Sequence, residues 1–472
     1  MEFPKKGRKG SEVLKELKEL KKNDIDWKNG KSFGLVYYPG DEYADTINTA
    51  FQEYRNENTI NPQSFPGIQQ CHNEVVSMVK SLLNAPENAA GVMTSGGTES
   101  ILLSVKTAKD YSKYMHKLMD VPEIILPKTA HPAFLKAASY FGLTPRLFDV
   151  GNDGNAKSDD VEKLINKNTV LIVASAPSYP HGVIDDIQGI SELALKHKIL
   201  FHVDCCIGGF MLPFLDKSKN AIPDFDFNLE GVTSMSVDIH KYGYSAKGAS
   251  VLIYRYRSIR IHQFSVFTSW PGGLYGSTTL LGTKSGGSIA AAWTAINTIG
   301  NDGYKDLAKK SMLAAESIID TINSIPELKL IAKPSMSLIA FGSDDIDIFE
   351  VADELSLKGW SFGRIQNPNG IHLVVSQIHY GKVVHQFNKD LRDAVQIAKR
   401  FSLSKLTHKI QVNSINVLSK LLPNGVLPKI QRILPDPASS KRSAGMYGMM
   451  GAVSGEDLDE IVRDILDEMN TN

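Results

Sequence analysis

Across residues 11–22, Leu14, Leu17 and Leu20 recur at helical spacing with Lys and Glu between them. The pattern predicts an amphipathic arm helix with Ser11 as its N-cap, suited to packing on its own protein or a partner subunit rather than on a membrane. Two later stretches, 30–40 and 61–67, carry glycine and proline without periodicity. They predict irregular loops that can turn side chains toward a ligand. From about residue 68, helical runs alternate with short apolar β-type runs at 124–126, 170–173 and 199–203. This predicts an α/β fold: a large domain with a mostly parallel central sheet covered by helices. Ligands of such sheets sit at the carboxyl ends of strands. From about residue 302 the pattern becomes that of a smaller C-terminal α+β domain. It has helical periodicity at 307–322, 349–357 and 384–399, and strand-like runs at 328–331, 338–341 and 371–375. Residues 402–443, interrupted by Pro423, Pro428, Pro435 and Pro437, follow no period, and a last helix runs through 458–469. The expected division is 1–67 as arm and loops, 68–301 as the large domain and 302–472 as the small one.

Composition adds limits. A chain of 472 residues, 42% hydrophobic, can bury the core of one large and one smaller domain. Its 52 basic and 52 acidic residues balance, so bulk charge favours neither nucleic acid nor an acidic membrane surface. Cys71, Cys205 and Cys206 form no disulfide framework and lack metal-site spacing, which predicts a reducing compartment and no bound metal. The opening residues lack the apolar core of a signal peptide. No run reaches the roughly 18 apolar residues of a membrane span; the most apolar stretch, 289–299, reads as a buried helix. These features predict a soluble, cytoplasmic protein.

Candidate chemistry centres on Lys241, in the run Ser236-Val237-Asp238-Ile239-His240-Lys241-Tyr242-Gly243-Tyr244, between β-type runs at 232–237 and 249–254. A lysine amine in a dry pocket loses proton affinity and becomes a nucleophile toward an aldehyde, such as pyridoxal phosphate. Taken alone, His240 and Lys241 more readily fit a plain turn. Three other stretches change that balance. Thr94-Ser95-Gly96-Gly97-Thr98-Glu99-Ser100 opens a helical run. Gly96 and Gly97 let the backbone approach an anion, first-turn amides bind it, and Thr98 adds a hydroxyl. It is not a Walker loop, because no Gly-Lys-Ser/Thr follows. His131 follows the 124–126 run, where a neutral imidazole can stack on an aromatic cofactor. Asp204 ends a very apolar run, where a carboxylate is costly without a cationic partner. A pyridinium nitrogen is such a partner, and the pairing makes the ring an electron sink. A capped helix start, a core histidine and a strand-end aspartate are the plain alternatives. The fixed order of all four features is far more specific than any one.

That order resembles the fold-type I pyridoxal-phosphate enzymes, their group II decarboxylase branch, and within it the sphingosine-1-phosphate lyase family. The matching segments are 94–100, 137–142, 180–185, Val203-Asp204, Gly208-Gly209-Phe210, 231–234 and 240–244, and the similarity extends from about Ser11 to Tyr447-Gly448, apart from 402–443. The resemblance implies homodimers with active sites at the subunit interface, residues 1–67 contributing to both. It implies that Lys241 carries the cofactor covalently, Asp204 pairs with the ring nitrogen and His131 stacks on the ring. Gly96, Gly97, Thr98 and His240 then hold the cofactor phosphate, with Ser277 reaching it from the neighbouring subunit. Tyr37, Asn61 and Lys247 map onto the substrate-phosphate site, and Tyr447 and Tyr179 onto tyrosines near the reacting atoms. Lys247 also has a physical case of its own. A second cation six residues from Lys241 helps keep Lys241 neutral and offers a counter-charge to a phosphate.

The implied reaction cleaves a phosphorylated long-chain base to a long-chain aldehyde and phosphoethanolamine, with a tyrosine or Lys241 as the base. Departures bear on substrate rather than cofactor. Ser64 stands where the family has a phosphate-binding histidine, and Leu35 where a small residue is usual. Lys284 replaces an arginine, losing a bidentate fork, and Cys205 replaces an alanine. The membrane anchor of eukaryotic members is absent, as in a microbial-type member or a trimmed chain. Two other readings stand beside the lyase: an amino-acid decarboxylase on the same scaffold, and an idle homologue acting as a binding protein.

Overall fold

The computed structural model describes residues 2–61, 63–115, 121–216, 218 and 221–402, with 459, 462–464, 466, 467 and 470 near the C-terminus. Tyr447 and the stretch 403–443 lie outside the described residues.

A seven-stranded sheet forms the centre. Its strands are β1 (Ala90–Thr94), β2 (Glu123–Pro127), β3 (Thr144–Phe148), β4 (Thr169–Ser175), β5 (Leu200–Asp204), β6 (Ser234–Asp238) and β7 (Ser250–Tyr254), in the order β1-β7-β6-β5-β4-β2-β3. Only β7 runs against the other six. β4 and β6 are buried along their whole length, as expected of strands covered on both faces; β4 reads as a nearly continuous apolar run, whereas β6 carries Ser234 and Ser236. Helices α1 (Gly10–Leu20), α2 (Asp41–Glu53) and α3 (Pro66–Leu82) precede the sheet, and α4 (Gly97–Tyr114), α5 (Ala133–Phe141), α6 (Ser158–Glu162) and α7 (Ile187–His197) connect its strands. A short α8 (Arg257–Arg260) and a hairpin of β8 (Ser265–Phe267) and β9 (Tyr275–Ser277) follow.

The predicted helical runs at 289–299 and 307–322 are two helices that meet at a kink within one continuous span, α9 (Gly286–Asn323). Ser285 caps it by accepting from Gly287 N at 3.1 Å. Its path breaks at Gly300, whose φ of 60° is left-handed and cheap only for glycine. Before the break, Ile289 to Ala292 and Ala295 pack in the core beneath the large sheet; after it, Ala314, Ala315, Ile318 and Ile322 pack in a second core. That second core lies on a four-stranded antiparallel sheet, β10 (Lys329–Leu330), β11 (Leu338–Gly342), β12 (Gly363–Ile365) and β13 (Gly370–Val374), with α10 (Ile348–Leu357) and α11 (Lys382–Ser402).

One local expectation fails. Ser11 is not the N-cap of α1: the cap position is Lys9, two residues earlier, with no side-chain cap. None of its residues is buried, so no core contact fixes its start. Among the described residues no helix is long and apolar enough to cross a membrane.

Candidate active site

The strand directions bring the carboxyl ends of β1, β6, β5, β4 and β2 to one edge of the sheet. Thr94, Asp238, Asp204 and Ser175 end four of these strands, and His131 follows the fifth. The sheet thus gathers stretches that are up to about 150 residues apart in sequence.

Asp204 is nearly buried. Its Oδ1 accepts from Cys206 N at 3.0 Å and from Ser236 Oγ at 3.3 Å, leaving Oδ2 for a cationic partner. Ser236 also lies 3.1 Å from His202 Nε2, and His202 Nδ1 is 2.9 Å from Ser234 Oγ. Burial pushes His202 down to about 4, so the imidazole in this chain is neutral. Sequence reading missed this Asp204–Ser236–His202 chain. The alternating serines of β6 were its visible signal, since a hydroxyl inside a sheet needs a partner.

Lys241 lies in the turn after β6, fixed by aromatic hydroxyls. Tyr242 Oη donates to Val375 O at 2.7 Å, and Tyr304 Oη donates to Gly243 O at 2.9 Å. Tyr244 adopts a φ of 57°, a strained conformation for a bulky residue. Nζ of Lys241 sits 2.9 Å from Asp238 Oδ2, and Asp238 is 2% exposed at its side chain. This overturns the expectation of a lysine with lowered proton affinity. Burial does act that way, but the Asp238 carboxylate outweighs it, and the net shift is upward.

The helix start is open. Gly96 and Gly97 are half-buried and Thr98 is exposed at the head of α4. A Cβ on Gly97 would lie 2.8 Å from Cys206 Sγ and 2.9 Å from Asp238 Oδ2, so the chain packs here only as glycine. His240 Nδ1 is buried without a hydrogen-bond partner, and burial lowers its proton affinity. A glycine cradle, an unpartnered imidazole nitrogen, a tethering amine and a carboxylate with a spare oxygen fit a phosphorylated aldehyde with a basic ring nitrogen. His131 Nδ1 accepts from Ala133 N at 3.2 Å, and the residue is exposed.

A second cluster lies beside Lys241. Phe33 stacks on His379 at 4.2 Å within the second core, and Gln377 Nε2 donates to Tyr38 O at 2.6 Å. These anchors bracket Tyr37, whose ring stands 5.0 Å from that of Tyr242. Lys247 Nζ lies 5.3 Å from the Tyr37 ring centre and 3.4 Å from His240 O. Burial and then the Lys241 charge lower the proton affinity of Lys247. The Tyr179 ring packs 4.2 Å from His372; burial raises its phenol and the Lys241 charge opposes that.

Two predicted residues stand elsewhere. Asn61 Oδ1 accepts from Gln63 N at 3.1 Å and Ser64 N at 3.3 Å, closing its own loop. Ser277 Oγ donates to Thr279 O at 2.8 Å. Ser277 lines a cavity of about 660 Å3 with Thr59, Ile60, Arg257, Arg260 and Lys284, apart from Lys241. Glu99, also missed, ties this region to α4: its carboxylate accepts from Ser95 N at 2.6 Å, Leu280 N at 2.8 Å and Leu281 N at 3.1 Å.

The sheet order and the constellation at its carboxyl edge define a fold-type I pyridoxal-phosphate enzyme. Residues 2–343 match the pyridoxal-dependent decarboxylase conserved domain, and the chain belongs to that family. It is 44% identical over 398 residues to a sphingosine-1-phosphate lyase of Arabidopsis thaliana, covering 83% of this chain and 73% of the relative. It is 34% identical over 400 residues to an L-aspartate decarboxylase of Thermococcus kodakarensis, covering 84% of this chain and all of the relative. Among solved structures, a sphingosine-1-phosphate lyase of Burkholderia pseudomallei superposes with a TM-score of 0.82 at 34% identity, covering 87% of this chain and 96% of that one.

Proposed function

We propose that this chain is a pyridoxal-phosphate-dependent aldehyde-lyase that cleaves phosphorylated sphingoid bases, such as sphingosine 1-phosphate, to a long-chain aldehyde and phosphoethanolamine. The observation that carries the reading is the placement of Lys247 and Tyr37 together beside Lys241. A cation and a phenol there suit a substrate phosphate, and the lyase relatives agree with it.

Bound, pyridoxal phosphate supplies an electron sink for the pair released when the bond between the amine-bearing and hydroxyl-bearing carbons breaks. Lys241 Nζ would tether it, and Asp204, whose Oδ2 is left by the bonds to Oδ1, would pair with its ring nitrogen. Gly96, Gly97, Thr98 and His240 would hold its phosphate, and His131 would stack on its ring. Tyr179, whose phenol feels the Lys241 charge, would supply a hydroxyl near the reacting atoms. Lys247 and Tyr37 hold the substrate phosphate, which fixes the scissile bond relative to the ring.

The active unit is a homodimer in this reading. Thr59 and Ile60, just before Asn61, and Ser277 line one cavity of the chain that excludes its own Lys241, consistent with Asn61 and Ser277 serving a neighbouring site. The β8–β9 region also exposes Phe267, Trp270 and, at 78%, Leu274, a surface suited to a partner subunit.

One other reading has specific support. Ser64 in place of a histidine, and the full-length match to an L-aspartate decarboxylase, favour an amino-acid decarboxylase. Product analysis separates the two: the lyase gives an aldehyde from sphingosine 1-phosphate, and the decarboxylase gives carbon dioxide from an amino acid.

A further inference from the structure

Asp238 has no part in the cofactor contacts above, yet it lies at the centre of them. It ends β6, three residues before Lys241, and its side chain is 2% exposed. A carboxylate so buried needs a cation. Lys241 Nζ is 2.9 Å from its Oδ2. His240 Nε2 is 3.7 Å away, too far for a strong bond. Both Asp238 oxygens also crowd Gly97, within 3.0 Å of where its Cβ would be, so the carboxylate forms the floor of the glycine cradle.

We infer that Asp238 is a positioning residue that holds the free Lys241 amine as an ammonium ion whenever that amine is not joined to the cofactor. The inference rests on the reading of Lys241 as the tether. The proton count balances. A substrate amine enters as ammonium and gives up one proton; Lys241 Nζ, on release, takes one up; Asp238 stays ionised throughout. The released lysine is thereby kept from re-attacking at once and waits as a proton donor of fixed position.

The charged and titratable groups around Asp238 fit this role. Lys241 and His240 share its turn, Lys247 approaches from the following loop, Cys206 from the end of β5, and Tyr37 from the N-terminal loop. Burial lowers His240 and raises Cys206 and Tyr37, which leaves those three neutral. Burial opposes charge on Asp238 as well, but the Lys241 ammonium foremost outweighs it and holds the carboxyl below its usual range. Lys247 shifts the opposite way from Lys241, because burial is not offset there by a contact with Asp238.

The test uses the full chain stripped of cofactor and trace-labelled with acetic anhydride from about pH 7 to 11, a range spanning ordinary lysine titration. Peptide mass mapping gives a labelling midpoint for Lys241 and, as internal reference, for Lys247. The expected midpoint of Lys241 lies roughly one pH unit or more above that of Lys247. A Lys241 midpoint at or below that of Lys247 overturns the inference. In folded Asp238→Asn, the Lys241 midpoint should fall by a similar amount, and an unchanged midpoint there also overturns it. If that variant does not fold, the wild-type comparison decides. Borohydride reduction of the holoenzyme tests the tether separately: cofactor mass absent from the Lys241 peptide defeats that reading without touching the labelling result.

Discussion

Lys247 Nζ lies 5.3 Å from the centre of the Tyr37 ring. The pair joins the loop after β6 to the N-terminal loop and sets a cation beside the Lys241 turn. Charge-assisted bonds to a phosphate contribute about 1.5–3 kcal/mol. Lys247→Ala should therefore lower kcat/KM for a phosphorylated long-chain base by roughly 10- to 100-fold. The unphosphorylated base should lose much less. Equal losses on both would show that Lys247 is not the phosphate anchor.

Ser64 tests the substrate assignment from the other side. Its backbone N–H donates to Asn61 Oδ1 at 3.3 Å, which leaves the side chain free to change. A histidine there restores reach and a charge-bearing ring. Ser64→His should lower KM for sphingosine 1-phosphate several-fold with little change in kcat. An unchanged or raised KM counts against a substrate phosphate near this loop.

Gly97→Ala should disrupt the cradle. The new methyl would meet Cys206 Sγ at 2.8 Å and the two Asp238 oxygens at 2.9 and 3.0 Å. Both neighbours are buried and neither can swing away. Cofactor affinity, read by titration of the apoenzyme with pyridoxal phosphate, should fall roughly tenfold or more. Wild-type affinity in this variant would place the phosphate elsewhere.

Ser236→Ala removes one donor to Asp204 and leaves His202 Nε2 without its partner at 3.1 Å. A buried polar group left unpaired costs about 1–3 kcal/mol. The melting temperature of the apoenzyme should drop. The visible absorbance of the holoenzyme should also change its pH dependence, because Asp204 is less firmly held. A drop in stability with an unaltered spectrum would confine Ser236 to packing.

The sheet was legible because β2, β4 and β5 are largely buried and carry short apolar runs. Asp204 and Lys241 stood out as charges at the ends of such runs. Asp238 did not, although it belongs to the same stretch as Lys241. In sequence it is one more polar residue in a turn, and only the 2.9 Å contact and its burial reveal its charge partner. That omission also reversed the expected state of the lysine, since burial alone lowers an amine and a buried neighbouring carboxylate raises it. Glu99 escaped notice for a similar reason: two of its three amide partners lie some 180 residues away, beyond any local pattern. The two helical runs within α9 were each legible by their apolar period, and non-helical Gly300 keeps them apart.

Product analysis tests the central claim most directly. The holoenzyme is incubated with sphingosine 1-phosphate and, in parallel, with a panel of amino acids including L-aspartate. The account predicts a long-chain aldehyde and phosphoethanolamine in equal amounts from the phosphorylated base, and no carbon dioxide from the panel. Carbon dioxide from an amino acid, with no aldehyde from the lipid, would contradict it and assign this site to decarboxylation.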